Sequence, residues 1–293
     1  MNEDQKKAAL GSAALLGAAL IWGSGFVVMK DTLNSVSVFR LLGIRFSIGL
    51  ALMSLLFFRR YRLLNRRCLA HGIILGLVEF AAYAVQTLGL TDTTPGKNAF
   101  LTAVYCVLVP FLDWLLYRQR PKSRNWLAGL LCLAGIGLIA LGEDFTVRRG
   151  DALSLLSGVL YAVQVTCLAH YAREDDPVLL TLITFAVTAV CSWAFSLPLE
   201  QGQYLNLREI WPQLLYLGIA ATGIALLLQN LGQALTPAGS AGILLSLESV
   251  FGAAFSLLFG YEALTLRKGL GFCVVFLAVL VSEAAFRRRR PAS

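Results

Sequence analysis

Charge is scarce in this chain. Asp, Glu, Lys and Arg together make up 14% of its 293 residues. Soluble domains carry roughly 25%, so the chain lacks the polar surface needed to stay in water. Histidine is scarcer still: His71 and His170 are the only two, far apart in sequence, which excludes a His-rich metal site. No Gly-x-Ser-x-Gly elbow, P-loop or Cys pair is present, so the local signatures of the common nucleophilic, nucleotide-hydrolysing and redox sites are missing. The loops are too short to hold a soluble catalytic domain, and nothing calls for a cofactor. A membrane β-barrel is excluded as well, because it needs short segments of alternating polarity and none occurs. Of six cysteines, Cys106, Cys132, Cys167, Cys191 and Cys273 fall inside apolar stretches and Cys68 near the edge of one. Their spacing suits neither a metal nor a disulfide framework, and they read as small packing residues.

What the chain has in abundance is apolar length. Hydrophobic residues make up 57% of it and the mean hydropathy is +0.70. A helix needs roughly 20 largely apolar residues to cross a ~30 Å hydrocarbon core, and lipid offers an open backbone no hydrogen bonds. The expected fold class is therefore all-α integral membrane, with ten transmembrane helices at about 10–30, 37–58, 69–90, 97–117, 125–142, 151–171, 177–198, 212–233, 238–259 and 266–286. The first follows Met1 to Lys7 and resembles a signal peptide. It is too long and is followed by nine similar segments, so it is kept as part of the mature protein.

The formal charge is +8, but the placement of the basic residues argues against nucleic acid. Arg59, Arg60, Arg62, Arg66 and Arg67 fill the loop after the second span, and Arg118, Arg120, Lys122 and Arg124 the loop after the fourth. Lys6 and Lys7 precede the first span and Arg287 to Arg290 follow the last, whereas the alternate loops of the first half offer mainly Lys30 and Lys97. Cytoplasmic loops carry the positive excess. That puts both termini in the cytoplasm and the protein in the plasma (inner) membrane. The second half obeys less well: Arg148, Arg149, Arg208, Arg267 and Lys268 fall outside and Arg173 inside.

The two halves repeat each other. Gly11 to Trp22 can be laid on Gly150 to Tyr161, Gln86-Thr87-Leu88-Gly89 on Gln229-Asn230-Leu231-Gly232, and Thr94-Pro95-Gly96 on Thr236-Pro237-Ala238, in the same order. The division gives a first repeat at 10–142 and a second at 150–286, joined by Glu143 to Arg149. With five spans in each copy, the second must enter the membrane from the opposite side. The fold expected is thus two inverted five-helix repeats, an arrangement in which transporters bind substrate near the midplane.

Several motifs resemble a known family. Gly17-Ala18-Ala19-Leu20-Ile21-Trp22-Gly23-Ser24-Gly25-Phe26 is similar to the first-helix signature of the drug/metabolite transporter superfamily, specifically its paired EamA-type repeat. Arg45-Phe46, the run from Thr94 through Phe100-Leu101-Thr102 to Val109-Pro110, and Leu247-Glu248-Ser249-Val250-Phe251 before Gly260-Tyr261-Glu262 fit as well. Two positions depart: Tyr261 separates Gly260 from Glu262, and Gln119 stands where an acid is common. The resemblance implies a ten-helix metabolite carrier, often an exporter, without nucleotide hydrolysis.

Ionisable groups at membrane depth cost roughly 2.5–3.5 kcal/mol on insertion scales and usually face protein or water. Arg45, Glu79 and Glu248 are such groups. Gly72, Gly76, Glu79, Tyr83 and Gln86 share one face of the third span. Gly218, Thr222, Ala225, Gln229 and Gly232 draw a similar stripe in the eighth, Ser154, Ser157, Tyr161, Gln164 and Tyr171 one in the sixth, Asn98, Thr102, Tyr105 and Asp113 one in the fourth, and Thr181, Thr184, Thr188 and Ser192 one in the seventh. Either these edges line one hydrated cavity, or the small and hydroxylated residues serve helix packing. Glu79, Tyr83, Gln86, Arg45, Glu248, Trp22, Tyr105, Tyr161, Gln164 and Gln229 are the candidate substrate and ion pathway. Arg45 either anchors the second span by pairing with Glu79 or Glu248, or meets a carboxylate on the substrate. Asp113 reads as a helix-end ion pair with the basic loop, and both histidines as interfacial. Gly129, Gly135, Gly137, Gly269 and Gly271 read as packing between the last helices of each repeat. The functional expectation is alternating-access export of small metabolites such as amino acids, aromatic compounds or amines, with protons as a coupling partner through Glu79 or Glu248. An intramembrane enzyme and a non-transporting structural or receptor protein are the alternatives.

Overall fold

Helix starts follow from local capping chemistry. Asn65 accepts a hydrogen bond from Cys68 N to open one helix; Thr94 and Asp176 do the same for Lys97 N and Leu179 N, each followed by a proline in the first turn. Ser37 caps nothing with its side chain. The buried Glu200 carboxylate accepts from Phe39 N and Arg40 N at 2.9 Å each instead, supplied from a distant helix end. An acid at a helix N-terminus satisfies orphan donors and complements the helix dipole.

The computed structural model describes residues 3–118, 120–140, 147–172, 174–201, 207–235 and 238–284. Their regular elements are all helical: α1 Glu3–Thr32, α2 Val38–Phe57, α3 Arg66–Thr91, α4 Pro95–Thr102, α5 Tyr105–Tyr117, α6 Ser123–Ala140, α7 Arg149–Tyr171, α8 Pro177–Leu199, α9 Leu207–Leu215, α10 Ala225–Leu235, α11 Ala238–Leu258 and α12 Leu266–Ala284. A 3₁₀ turn at Phe58–Leu63 ends α2, and a π-helix at Tyr216–Ile224 joins α9 to α10. Two expected spans are therefore not uniform α-helices. The fourth is split into α4 and α5 at Ala103 and Val104, where its backbone rests on Gly158 of α7; a Cβ there would lie 2.9 Å from Thr102 O and 3.1 Å from Leu101 O. The eighth contains the wider π turns. Counting α4 with α5 and α9 with α10 as single rods, the twelve α-helices make ten. Seven segments among the described residues are long and apolar enough to cross a membrane, with Ser123–Ile139 and Leu244–Leu258 shorter apolar helices. Most of the connector Glu143 to Arg149 lies outside the described residues, as do Gln119, Arg173, Thr236, Pro237 and Arg287 to Arg290.

The rods pack in a definite pattern. α1 lies against α10 and α11, and α7 against α3, α4 and α5. α2 packs on α8 and the π segment, α3 on α8, and α6 on α12. Glycines set several of these contacts. A Cβ on Gly72 would meet Ile183 at 2.6 Å and one on Gly76 would meet Val187 at 2.5 Å, so the glycine part of the expected polar stripe on α3 is a close-packing face for α8. Thr188 donates to Gly76 O at 3.2 Å, and Thr184 and Ser192 are buried beside it. In α6 and α12, Gly135 and Gly271 approach each other's helices: a Cβ on Gly135 would be 2.6 Å from Val275 Cγ2 and 3.1 Å from Gly271 O. Packing is thus the role of these small residues. Lipid tails are as apolar as leucine, so close backbone contact rather than hydrophobic burial holds such helices together.

Gly135→Ala is expected to destabilise the protein by about 1–3 kcal/mol through overpacking, whereas Gly129→Ala, whose Cβ would have only Phe111 at 3.7 Å, is expected to stay within about 0.5 kcal/mol. Thermal unfolding in detergent, followed with a thiol-reactive dye that reports exposure of the buried Cys106 and Cys132, separates the two. Equal midpoints for both variants would contradict the packing.

Candidate functional site

The ten candidate pathway residues converge. Trp22 from α1, Arg45 from α2, Glu79, Tyr83 and Gln86 from α3, Tyr105 from α5, Tyr161 and Gln164 from α7, Gln229 from α10 and Glu248 from α11 all line one cavity of about 720 Å³. It falls within the range of small-molecule sites, ~300–1,000 Å³. Its wall also includes Met29, Thr102, Thr181 and Thr222. The polar edges seen in the sequence therefore divide by depth and direction. On α3 the glycines face α8, and the Glu79, Tyr83 and Gln86 side chains face the cavity.

Two hydrogen-bonded systems shape the wall. In the first, Tyr161 OH donates to Gln86 Oε1 at 3.1 Å and Gln86 Nε2 donates to Thr102 Oγ1 at 3.2 Å. Thr102 and Ser157 share a hydrogen bond of 3.1 Å. The Ser157 proton goes to Ser154 O at 2.7 Å, so Thr102 must be the donor to Ser157. Asn98 Nδ2 donates to Gln86 O at 3.1 Å and to Ser154 Oγ at 2.7 Å, and Ser154 Oγ donates to Gly150 O. This chain of directed bonds fixes the Gln86 amide and the Tyr161 ring. Tyr83 meets Tyr161 edge-on with centroids 5.5 Å apart, a favourable arrangement for aromatic quadrupoles.

The second system surrounds Arg45, which is 4% exposed. Its Nε donates to Thr222 Oγ1 at 2.8 Å and its guanidinium lies 4.8 Å from the Tyr83 ring centre. The expected ion pair with Glu79 or Glu248 does not form: among the described residues no carboxylate comes within ion-pair distance of it. The reason is geometric. α2 is drawn onto the π segment through Gly49, Gly218 and Gly223, and that approach directs Nε to Thr222. Tyr105 OH donates to Glu248 Oε1 at 3.3 Å, while the Glu79 carboxylate has no hydrogen-bond partner among the described residues. Trp22 is held by its indole N–H donating to Ala221 O at 2.8 Å, again on the π segment.

The two ends of the cavity differ. Its lining extends to Arg60, Ala172, Asp176 and Thr181, where α2 ends and α8 begins. Arg60 and Asp176 pair there at 2.6 Å, with Arg60 half exposed. The opposite end, beyond Met29, Gln86 and Thr102, is crossed by ionic and hydrogen-bonded contacts. Lys97 pairs with the fully buried Asp151 at 2.8 Å, Thr93 also donates to Asp151, and Lys30 donates to the carbonyls of Leu90, Thr91 and Thr93. Further out, Lys268 pairs with Glu262, and Tyr261 OH donates to Asp31 at 2.7 Å. Burial and the Asp31 carboxylate push the Tyr261 phenol up to about 12, so it holds its proton as the donor. Breaking a buried ion pair costs about 3–5 kcal/mol, which makes this the firmer of the two ends.

Asp113 forms its helix-end ion pair with His170 at 3.3 Å, because α5 and α7 pack side by side. His71 is equally occupied, 2.6 Å from the buried Asp175 and stacked on Tyr171. Met29 on the cavity wall, the Arg60–Asp176 mouth and the Lys97–Asp151 closure were not legible in the sequence. Lys97 and Asp151 each stood at an expected span edge, but no local signal joins residues 54 apart.

An accessibility experiment checks this asymmetry. In a cysteine-free background, Thr181→Cys is expected to react with a membrane-impermeant thiol reagent applied from the face bearing Arg60 and Arg67. Ser154→Cys, behind the closure, is expected to be at least ~10-fold slower from either face. Equal labelling of the two would refute a cavity open at one end.

Comparison with known proteins places this architecture. The EamA-like transporter family matches residues 9–141 and again residues 148–283. An "Uncharacterized transporter" of Archaeoglobus fulgidus is 32% identical over 263 residues, covering 90% of this chain and 82% of its own length. "Uncharacterized transporter YwfM" of Bacillus subtilis is 25% identical over 288 residues, covering 96% of each chain. A solved structure described as "Crystal structure of protein" shares 19% identity and superposes with a TM-score of 0.68 over 94% of this chain and 99% of that one, a likeness of fold. Two family matches in tandem, ten helical rods and a polar cavity among apolar helices agree, and the chain belongs to the EamA-like transporter family of multi-pass membrane proteins.

Proposed function

We propose that this protein is a secondary active exporter of small metabolites, built from two inverted five-helix repeats and coupled to protons through Glu79 and Glu248. The observation that carries the reading is the single cavity lined by Arg45, Glu79, Glu248, three tyrosines and a tryptophan at the meeting point of both halves. The substrates that suit such a wall are amino acids, aromatic compounds or amines.

Inversion is supported by the packing. If 10–142 and 150–286 are exchanged, α1 against α11 becomes α7 against α4 and α5, α1 against α10 becomes α7 against α3, and α3 against α8 becomes the π segment against α2; all of these pairs occur. α2–α8 and α6–α12 map onto themselves. One pair of contacts carries direction as well. Gly89 packs on Gly150 and Ser154, and its counterpart Gly232 packs on Gly11 and Leu15, which align with Gly150 and Ser154. The first contact lies at the closed end of the cavity; the second lies at the start of α1, whose far end carries the Lys30 bonds of that closure.

Export is supported by where the cavity opens. Arg60 belongs to the basic loop after α2, and the positive-inside rule assigns such loops and both termini to the cytoplasm of the plasma membrane. The structure then corresponds to a state that loads from the cytoplasm. Glu79 is free to exchange a proton with cavity water, and among the described residues the Glu248 carboxylate is held by Tyr105 alone. A proton that binds one facing state better than the other biases the exchange between them, which is all that coupling requires.

In proteoliposomes, counterflow against a panel of amino acids, aromatic amines, organic acids and nucleosides tests the transport reading. Absence of flux for every class would overturn it. Glu79→Gln and Glu248→Gln are each expected to lower flux driven by a pH gradient at least ~10-fold, about 1.4 kcal/mol, with counterflow retained. Unchanged gradient-driven flux in both variants would remove the proton from the mechanism and leave a carrier without it.

A further inference from the structure

Arg45 is an unusual group even for a polar cavity. It is nearly fully buried, yet of its five N–H donors one makes a strong bond. Nε reaches Thr222 Oγ1 at 2.8 Å. The four N–H groups on Nη1 and Nη2 meet only the Met29 thioether at 3.7 Å and the Tyr83 hydroxyl at 3.4 Å, contacts at or beyond the limit of useful hydrogen bonds. Glu79 and Glu248 share the cavity but stand outside ion-pair distance. A desolvated guanidinium without a close anion is costly, and its fork matches a carboxylate in bidentate fashion.

The fork is also held in place. The guanidinium carbon lies over the Tyr83 ring at 4.8 Å, with the Phe46 ring at 5.7 Å. Thr222 fixes its rotation. Its own hydroxyl proton goes to Leu217 O at 2.7 Å, so only a lone pair faces Nε. In an α-helix a threonine hydroxyl reaches the carbonyl three or four residues back; here it reaches five back, because the turn is π. The glycines complete the device. A Cβ on Gly49 would lie 2.7 Å from Thr222 Cγ2, and one on Gly218 would lie 2.6 Å from Ile48 Cβ and 3.2 Å from Arg45 O. Only with those positions bare can α2 and the π segment close until Nε meets Thr222. π turns recur at functional sites, and this one has an identifiable use.

We propose that Arg45 is the carboxylate-binding group of the cavity, presented by Thr222 as its positioning residue, and that the substrates are monocarboxylates with an apolar or aromatic body. The inference rests on the transport reading above. A single guanidinium fork takes one carboxylate, and Trp22, Tyr105 and Tyr161 supply the apolar contact.

The test measures binding to purified protein by ligand-induced thermal stabilisation. The probes are benzoate, 3-phenylpropionate and indole-3-acetate beside the matched amines benzylamine, phenethylamine and tryptamine. At least one carboxylate is expected to stabilise the wild type. Arg45→Gln is expected to weaken that response at least ~30-fold, and Arg45→Lys, which keeps the charge and loses the fork, about 10-fold. Thr222→Val is expected to weaken it about 10-fold, with Thr222→Ser restoring it, a rescue that loss of packing alone would not produce. The ligand-free midpoint of each variant reports its folding. The carboxylate assignment is overturned if no carboxylate binds, or if Arg45→Gln binds one as the wild type does. Wild-type binding by Thr222→Val overturns the positioning role. Counterflow of amines without carboxylate binding would sink this inference and leave the transport reading standing, whereas carboxylate binding with no counterflow of any class would do the reverse.

Discussion

A bilayer supplies no hydrogen-bond partner, so each polar group carried to membrane depth must be satisfied by another part of the chain or by enclosed water. The interior of this protein is organised around that constraint. Gln86, Asn98, Thr102, Ser154 and Ser157 answer one another in a directed chain. Arg45 and Glu79, which cannot be answered in full by neutral groups, border a cavity large enough to hold water or a small molecule. The cavity is thus where two ionisable groups at membrane depth are left without a close charged partner.

The same requirement explains why two kinds of small residue behave differently. Gly72 and Gly76 on α3, Gly135 on α6 and Gly271 on α12 bring helices together and stand outside the cavity lining. On α2 and the π segment, Gly49, Gly218 and Gly223 also bring backbones together, but the consequence is chemical: closeness lets Arg45 reach Thr222. A substitution at either set disturbs packing; only the second set changes where a charge points.

The ends of the cavity are held by bonds of unequal strength. The open end has a half-exposed Arg60–Asp176 pair, which water and salt weaken to roughly 0–1 kcal/mol. The closed end has Lys97 on a fully buried Asp151, with Thr93 and the Lys30 bonds beside it. Opening the closed end would have to break the second set, the costlier of the two. The two cations of the first half that fall in the less basic loops, Lys30 and Lys97, are therefore structural parts of this closure, which is why they weigh little in the charge asymmetry of the loops.

The sequence by itself determined the class: charge scarcity and apolar length require membrane helices, tandem similarity divides them into halves, and an acid or arginine in mid-span has to face inward. The ten cavity-lining candidates were legible for that reason, since each is a polar or aromatic group on an otherwise apolar helix. What the tertiary structure decided is which neighbour each group meets. Arg45 was as well suited in sequence to Glu79 or Glu248 as to Thr222, and a 177-residue separation leaves no local trace of the choice. The stripe on α3 likewise read as one polar face, although Gly72 and Gly76 turn to α8 and the rest to the cavity. The π turns and the break at Ala103 were invisible because periodicity assumes a uniform helix, and both arise where another helix presses on the backbone. Composition and period fix what must be buried; only packing fixes against what.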